Sequence, residues 1–151
     1  MVPKNYVTEI DDLYYRVTKT GKKKGEVELV GWYELNTFYA IQLLEIPKTV
    51  KIKGYTYKVT GIANNALKGC KDIKTLIIGS NMKKIGQNAF LNCKKLKSIE
   101  IKSSQLKSVG KNALKGINKN ATIKVPKKQY KKYKKLFKSK TGYKKTMKIK
   151  K

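Results

Sequence analysis

The sequence predicts an α+β solenoid: a short stack of repeats with an antiparallel β cap at the N-terminal end and a helical cap at the C-terminal end. Three observations carry this prediction. A twelve-residue motif recurs at offsets of 23 and then 24 residues, and each copy runs into a short alternating apolar segment. The flanks change pattern, to strand-like runs before the repeats and to helical spacing after them. The chain has 151 residues and is 40% hydrophobic, enough to bury one core.

The motif occupies residues 59–70, 82–93 and 106–117. Equivalent positions hold Ile62, Ile85 and Val109, then Asn65, Asn88 and Asn112, then Leu67, Phe90 and Leu114, then Cys70, Cys93 and Ile117. In the alternating segments successive side chains point to opposite faces, so Leu76 and Ile78 face inward and Ile77 outward. Ile99 and Ile101, then Ile123 and Val125, take the same inward places in the next rungs. Phe90 and Cys93 have the spacing of one helical turn, and the asparagine before each such turn is read as its cap. A single rung cannot bury its apolar edge, but a stack makes a continuous core.

The Ile-Gly-x-Asn-Ala-Phe-x-x-Cys-x-x-Leu pattern at 85–96, followed by Leu-x-Ser-Ile-x-Ile at 96–101, resembles the BspA-type leucine-rich repeat. The motif itself covers residues 59–128, with less specific lead-in segments around Ile46-Pro47 and from Gly54 to Thr60. The resemblance implies a short leucine-rich-repeat stack in a bacterial surface or secreted protein that serves adhesion, and it brings no catalytic residue with it. The expected organisation is a β cap over 1–58, three repeats over 59–128, and a lysine-rich helical cap and tail over 129–151, all one structural domain.

In the N-terminal cap, strands are expected at 13–17, 26–32, 40–46 and 55–59, with a turn from Gly21 through Lys22–24 to Gly25. The cluster of Trp32, Tyr33, Phe38 and Tyr39 reads as packing beneath the cap, with a sugar platform as the alternative. At the other end Pro126 starts an expected helix over 127–139. Its apolar stripe of Tyr130, Tyr133, Leu136 and Phe137 would cover the last rung, and Lys127, Lys128, Lys131, Lys132, Lys134 and Lys135 would take the other faces. The alternating tail after Gly142 either adds a strand or stays mobile.

Charge is the compositional outlier. There are 37 Lys plus Arg against 9 Asp plus Glu, a formal +28, and Arg16 is the only arginine. Residues 1–58 hold ten basic and seven acidic residues, a net +3, whereas 59–151 hold 27 lysines with only Asp72 and Glu100, a net +25. Such a field repels other copies, so a monomer is expected, and it attracts polyanions at long range. Lys71 and Lys94, Lys74 and Lys97, and Lys83 and Lys107 recur at equivalent repeat positions, where like charges must be solvated or neutralised. Lys71, Lys74, Lys94, Lys97, Lys128, Lys131, Lys132 and Lys135 are therefore the candidate polyanion-binding set. The same lysines also serve as a solubilising surface.

Classes of chemistry drop out in turn. With no histidine, the commonest general base and metal ligand is missing, and two cysteines are too few for a zinc site. Cys70 and Cys93 read as buried thiols stacked in register, with a bridge between rungs as the alternative. Glu9, Asp11 and Asp12 read as a solvated edge or a turn in an N-terminal tail, with too few oxygens for calcium. No cofactor is expected and an enzyme is disfavoured. The first twenty residues lack an apolar run and no stretch is long enough to span a membrane, so either the protein is cytoplasmic or the extracellular location implied by the resemblance rests on a leader removed from this chain.

The expected partner is a protein or a glycan, with a bias to anionic cell-wall polymer, sulfated glycan or anionic membrane. The candidate contact face is the outward side of the repeat strands: Thr75, Ile77, Ser98, Glu100, Lys102, Thr122 and Lys124. Two other readings stand beside it: a structural remnant of a longer repeat protein with no ligand of its own, and, as the weaker binding reading, nucleic acid held by the lysine-rich C-terminal half. Tyr130, Tyr133 and Tyr143 interleave with lysine, but arginine, which dominates base readout, is nearly absent.

Overall fold

A computed structural model describes residues 1–32 and 42–151. The chain opens with β1 (Val7–Ile10) and β2 (Leu13–Lys19), an antiparallel hairpin turned by Asp11 and Asp12. Both aspartates have positive φ, 50° and 62°, the geometry of a two-residue hairpin loop that suits the twist of the strands. The acidic run is thus a turn, and Glu9 lies in a strand rather than in a tail. The hairpin continues into β3 (Gly25–Trp32), which pairs antiparallel with β2. Trp32 packs against the core, while Tyr33, Phe38 and Tyr39 lie outside the described residues.

Next come β4 (Leu43–Ile46), β5 (Thr49–Ile52) and β6 (Tyr55–Ile62), then β7 (Thr75–Ile78), β8 (Lys84–Ile85), β9 (Ser98–Ile101), β10 (Ser108–Val109) and β11 (Thr122–Lys124). Helix α1 (Tyr130–Lys134) and β12 (Lys148–Lys150) complete the chain. Two sheets result. One runs β4-β7-β9-β11-β12 and is parallel throughout. The other runs β1-β2-β3-β6-β8-β10, with β5 paired antiparallel to β6. Here β3 docks parallel on β6, so the hairpin sheet continues directly into the rungs.

The core lies between the sheets. Ile46, Leu76, Ile78, Ile99, Ile101, Ile123 and Val125 from one side meet Val59, Ile62, Ile85 and Val109 from the other, all buried. A third side of each rung is a tight turn, linked to the next by backbone hydrogen bonds such as Leu67 N–H to the Ala89 oxygen (2.9 Å) and Phe90 N–H to the Ala113 oxygen (3.0 Å). At the last rung the partner is segment 139–142, where Asn112 and Leu114 donate to Lys140 and Thr141.

Four expectations need correction. The Ala-Phe-x-x-Cys piece is a hydrogen-bonded turn, not helix, with Cys93 N–H donating to the Phe90 oxygen. The repeat asparagines do not cap it. Asn65, Asn88 and Asn112 have φ of 61°, 56° and 57°, a left-handed conformation that asparagine tolerates better than most residues. Asn88 Nδ2 donates instead to Asn65 Oδ1 of the previous rung (3.1 Å). Third, β4 within the region read as cap is a rung strand: Leu44 and Ile46 bury like Leu76 and Ile78, in parallel register with them.

Fourth, the expected helix over 127–139 shrinks to the five residues of α1, flanked by single 3₁₀ turns at Lys127–Gln129 and Ser139–Thr141. Neither Pro126 nor Gln129 supplies a side-chain cap, and no acid sits in either first turn. Lysines four apart, such as Lys128/Lys132 and Lys131/Lys135, repel along one face, which is enough to fray so short a helix. Its apolar residues still cover the last rung, with Tyr133 and Phe137 buried. The alternating tail adds a strand, β12 on β11.

Candidate functional site

The outward side of the parallel sheet is built by register. Leu43, Thr75, Ser98, Thr122 and Lys148 align across five strands, and beside them Glu45, Ile77, Glu100, Lys124 and Lys150. Strand spacing near 4.8 Å puts each residue in contact range of the next. All seven residues expected on this face therefore share one surface, with Lys102 at its rim. Acids sit beside lysines here: Glu100 pairs with Lys124 at 3.3 Å, and Lys102 with Glu45 at 3.4 Å. The middle of the face is nearly neutral, and its surplus charge gathers at the β12 edge.

The candidate polyanion set divides in two. Lys71, Lys94 and Lys97 are exposed and Lys74 half-buried along the rungs, where the Lys74 ammonium donates to Gln42 Oε1 (3.1 Å). Lys128, Lys131, Lys132 and Lys135 are exposed on the C-terminal cap. None of these eight has an acidic partner among the described residues. Five of the eight acids among the described residues form ion pairs elsewhere, including Asp72 with Lys95 one rung on (2.8 Å) and Glu26 with Lys83 (2.8 Å).

Sequence reasoning missed a polar seam on the outward side of the mixed sheet. Arg16 Nε and Nη2 donate to Glu28 Oε1 at 3.0 and 2.5 Å. Glu26 accepts from Lys83 and from the Thr60 hydroxyl (3.0 Å). Burial opposes ionisation of Glu26, but these two hydrogen bonds and the charges of Lys83 and Lys19 outweigh it and hold its carboxyl below the usual range. The signal was present: two glutamates two apart on a strand share a face, and the lone arginine lies on the strand before.

The tyrosines serve as cap residues. Tyr133 is fully buried, Tyr130 and Tyr143 partly so, and Tyr143 donates to the Met147 oxygen (2.9 Å). Cys70 and Cys93 are free buried thiols. The Cys93 thiol donates to the Leu67 oxygen (2.9 Å), and its hydrogen bond with the Cys70 sulfur, together with burial, pushes it up. Among the described residues no group of three metal-ligating side chains forms, and no helix is long and apolar enough to cross a membrane.

Parallel strands at one residue-repeat spacing, an asparagine-turned arc and a continuous apolar core define a leucine-rich-repeat type solenoid. The profile described as BspA type leucine rich repeat region matches residues 36–150 in six copies, and the chain belongs to that family. A leucine rich cell surface protein of Faecalibacterium prausnitzii superposes with a TM-score of 0.61 at 17% identity, covering 83% of this chain and 38% of that one. A leucine-rich repeat protein of Bacteroides ovatus gives 0.58 at 27% identity, covering 82% and 38%. The pneumococcal vaccine antigen PcpA gives 0.54 at 17% identity, covering 82% and 42%. The chain thus spans about two fifths of the length of these solved relatives. A comparison with curated proteins gives no match.

Proposed function

We propose that this chain is a non-enzymatic binding module of a bacterial surface or secreted protein, making protein or glycan contacts with a bias to anionic polymers such as cell-wall polymer or sulfated glycan. One observation carries the polyanion part. Five of the eight acids among the described residues pair between strands or rungs, while eight lysines on the rungs and the C-terminal cap have no acidic partner among the described residues. Flexible lysines spread over a rigid stack suit a polymer with regularly spaced charge, which displaces counterions wherever it lies. The extended outward face of the parallel sheet supports a protein or glycan contact beside it. Nucleic acid is the weaker reading, since Tyr133 is buried in the cap and unavailable for base stacking.

Retention on immobilised heparin across a salt gradient tests this. Elution well above physiological ionic strength, about 0.15 M, is expected, with earlier elution once Lys128, Lys131, Lys132 and Lys135 are changed to Gln. Elution at or below that ionic strength would make the charge a solubilising coat and leave the sheet face, with a protein partner, as the working site.

A further inference from the structure

We propose that a notch on the mixed sheet, between Arg16 and Lys84, binds one carboxylated sugar unit. The inference deepens the contact-module reading, on which it rests, and assigns a site at the polar seam of the mixed sheet rather than on the outward face of the parallel one.

The notch follows from register. Arg16 lies opposite Glu28, Glu28 opposite Gly61, Gly61 opposite Lys84, and Lys84 opposite Ser108, so these residues form one row across the outward side of the sheet. A shift in register between Val27 and Glu28 sets the glutamate against Gly61. At 4.8 Å per strand, the missing side chain leaves Glu28 and Lys84 about 10 Å apart. A Cβ at residue 61 would lie 3.2 Å from Glu28 Cβ and 3.7 Å from its Oε2, so the glutamate leans into the space that glycine leaves. The result is a groove of about 280 Å³ lined by Arg16, Glu28, Val30, Ala63, Asn64 and Lys84.

Its polar groups are pre-set. Glu28 Oε1 takes two hydrogen bonds from Arg16, which fixes the guanidinium and leaves Arg16 Nη1 and Glu28 Oε2 without a partner among the described residues. Asn64 Oδ1 accepts the Gln87 N–H at 2.8 Å, which orients the amide and leaves its Nδ2 to donate. Lys84 has no acidic partner among the described residues. In a chain of 36 lysines the one arginine stands here, where a rigid planar fork serves and a flexible ammonium would not.

These groups select a ligand class. Three donors, on Arg16, Asn64 and Lys84, surround one acceptor, Glu28 Oε2, with a surplus of one positive charge. A carboxylate placed between Lys84 and Asn64 satisfies the surplus, and ring hydroxyls give Glu28 Oε2 the donor it lacks. Val30 and Ala63 close the floor of the groove, so its exposed lining is mainly these polar groups. Inorganic phosphate brings excess negative charge to the glutamate, and a neutral sugar leaves Lys84 unpaired.

The test is amide nitrogen–proton NMR on the whole chain, titrated with glucuronate and, separately, with glucose, glycine and inorganic phosphate. Saturable shifts confined to Gly61, Asn64, Lys84 and their neighbours are expected with glucuronate alone. Lys84→Gln, an exposed change that leaves the core intact, should weaken binding about tenfold, and Gly61→Val should abolish it. Equal response to glucose or glycine, or shifts spread over lysines across the surface, overturns the proposal. If the notch is silent while heparin retention persists, the notch falls and the module reading stands. If the notch responds while retention is lost, the polyanion reading falls instead.

Discussion

The Tyr133 hydroxyl donates to the Ser103 carbonyl oxygen at 2.8 Å from a ring with no exposed surface. The same hydroxyl accepts from the Leu106 N–H at 2.9 Å. One side chain of the C-terminal cap therefore bridges two backbone groups whose equivalents in the preceding rung bond directly, Met82 N–H on the Gly79 oxygen.

Tyr133→Phe keeps the ring packing and leaves both backbone groups buried without that partner. A loss of about 1–3 kcal/mol is expected in urea unfolding, with most of the apolar burial retained. An unchanged midpoint would mean that water replaces the hydroxyl.

The alkaline limb should depend on two tyrosines. Burial pushes Tyr133 up, and burial with the nearby Asp11 charge pushes Tyr15 up. A group raised in the folded state contributes stability that is whole below its unfolded pKa, near 10, and is lost as pH rises toward the folded value. Unfolding free energy should accordingly be flat up to about pH 10 and fall above it, and less steeply in Tyr133→Phe.

Glu26 acts at the other limit. Its carboxyl is held low, so its contribution is present above the unfolded value, about 4.3, and is lost as pH falls through the lower folded one. Glu26→Gln should flatten the acid limb of a pH–stability profile and cost about 0.5–1 kcal/mol at neutral pH and low salt. The same profile for wild type and variant would show that the lysine charges leave nothing to gain.

The arc asparagines are replaceable by glycine but not by branched residues. Asn88→Gly keeps the left-handed turn and loses one inter-rung hydrogen bond, so a cost of about 1 kcal/mol is expected, against about 2–3 for Asn88→Val. Equal melting temperatures for the two variants would show that the turn relaxes to negative φ.

Gly110 sits where two rungs approach. A Cβ there would lie 2.4 Å from the Gln87 backbone nitrogen and 2.6 Å from the Gly86 carbonyl carbon. Gly110→Ala should destabilise by about 2 kcal/mol or more, since only backbone movement relieves the contact. Chemical denaturation measures it, and a stability within 0.5 kcal/mol of wild type would mean that the stack spreads freely.

The inward strand positions were legible because an alternating apolar run states its own facing: Leu76, Ile78, Ile99 and Ile101 bury as read. Tyr133 and Phe137, the apolar positions of the C-terminal stripe, are buried too. The turn asparagines were misread because capping and left-handed geometry favour the same residue, and only φ separates them. The strand at 43–46 falls within the one expected at 40–46, but its place in the repeat stack was hidden because no Asn-Ala-Phe motif precedes it in the sequence. The notch was illegible for another reason: it depends on a register shift within β3 and on parallel docking of β3 on β6, pairings between segments more than 30 residues apart. No local pattern encodes that Glu28, and not Val27, faces Gly61.

The hydrogen bonds that join rung to rung also decide how the molecule would carry load. They run along the stack, so a pull between its two ends strains them in series, one rung's worth at a time, as in opening a zipper rather than shearing a lap joint. Each rung that let go would free 23 or 24 residues of chain, roughly 80 Å of slack. Under tension such a stack would lengthen in even steps and dissipate force at each.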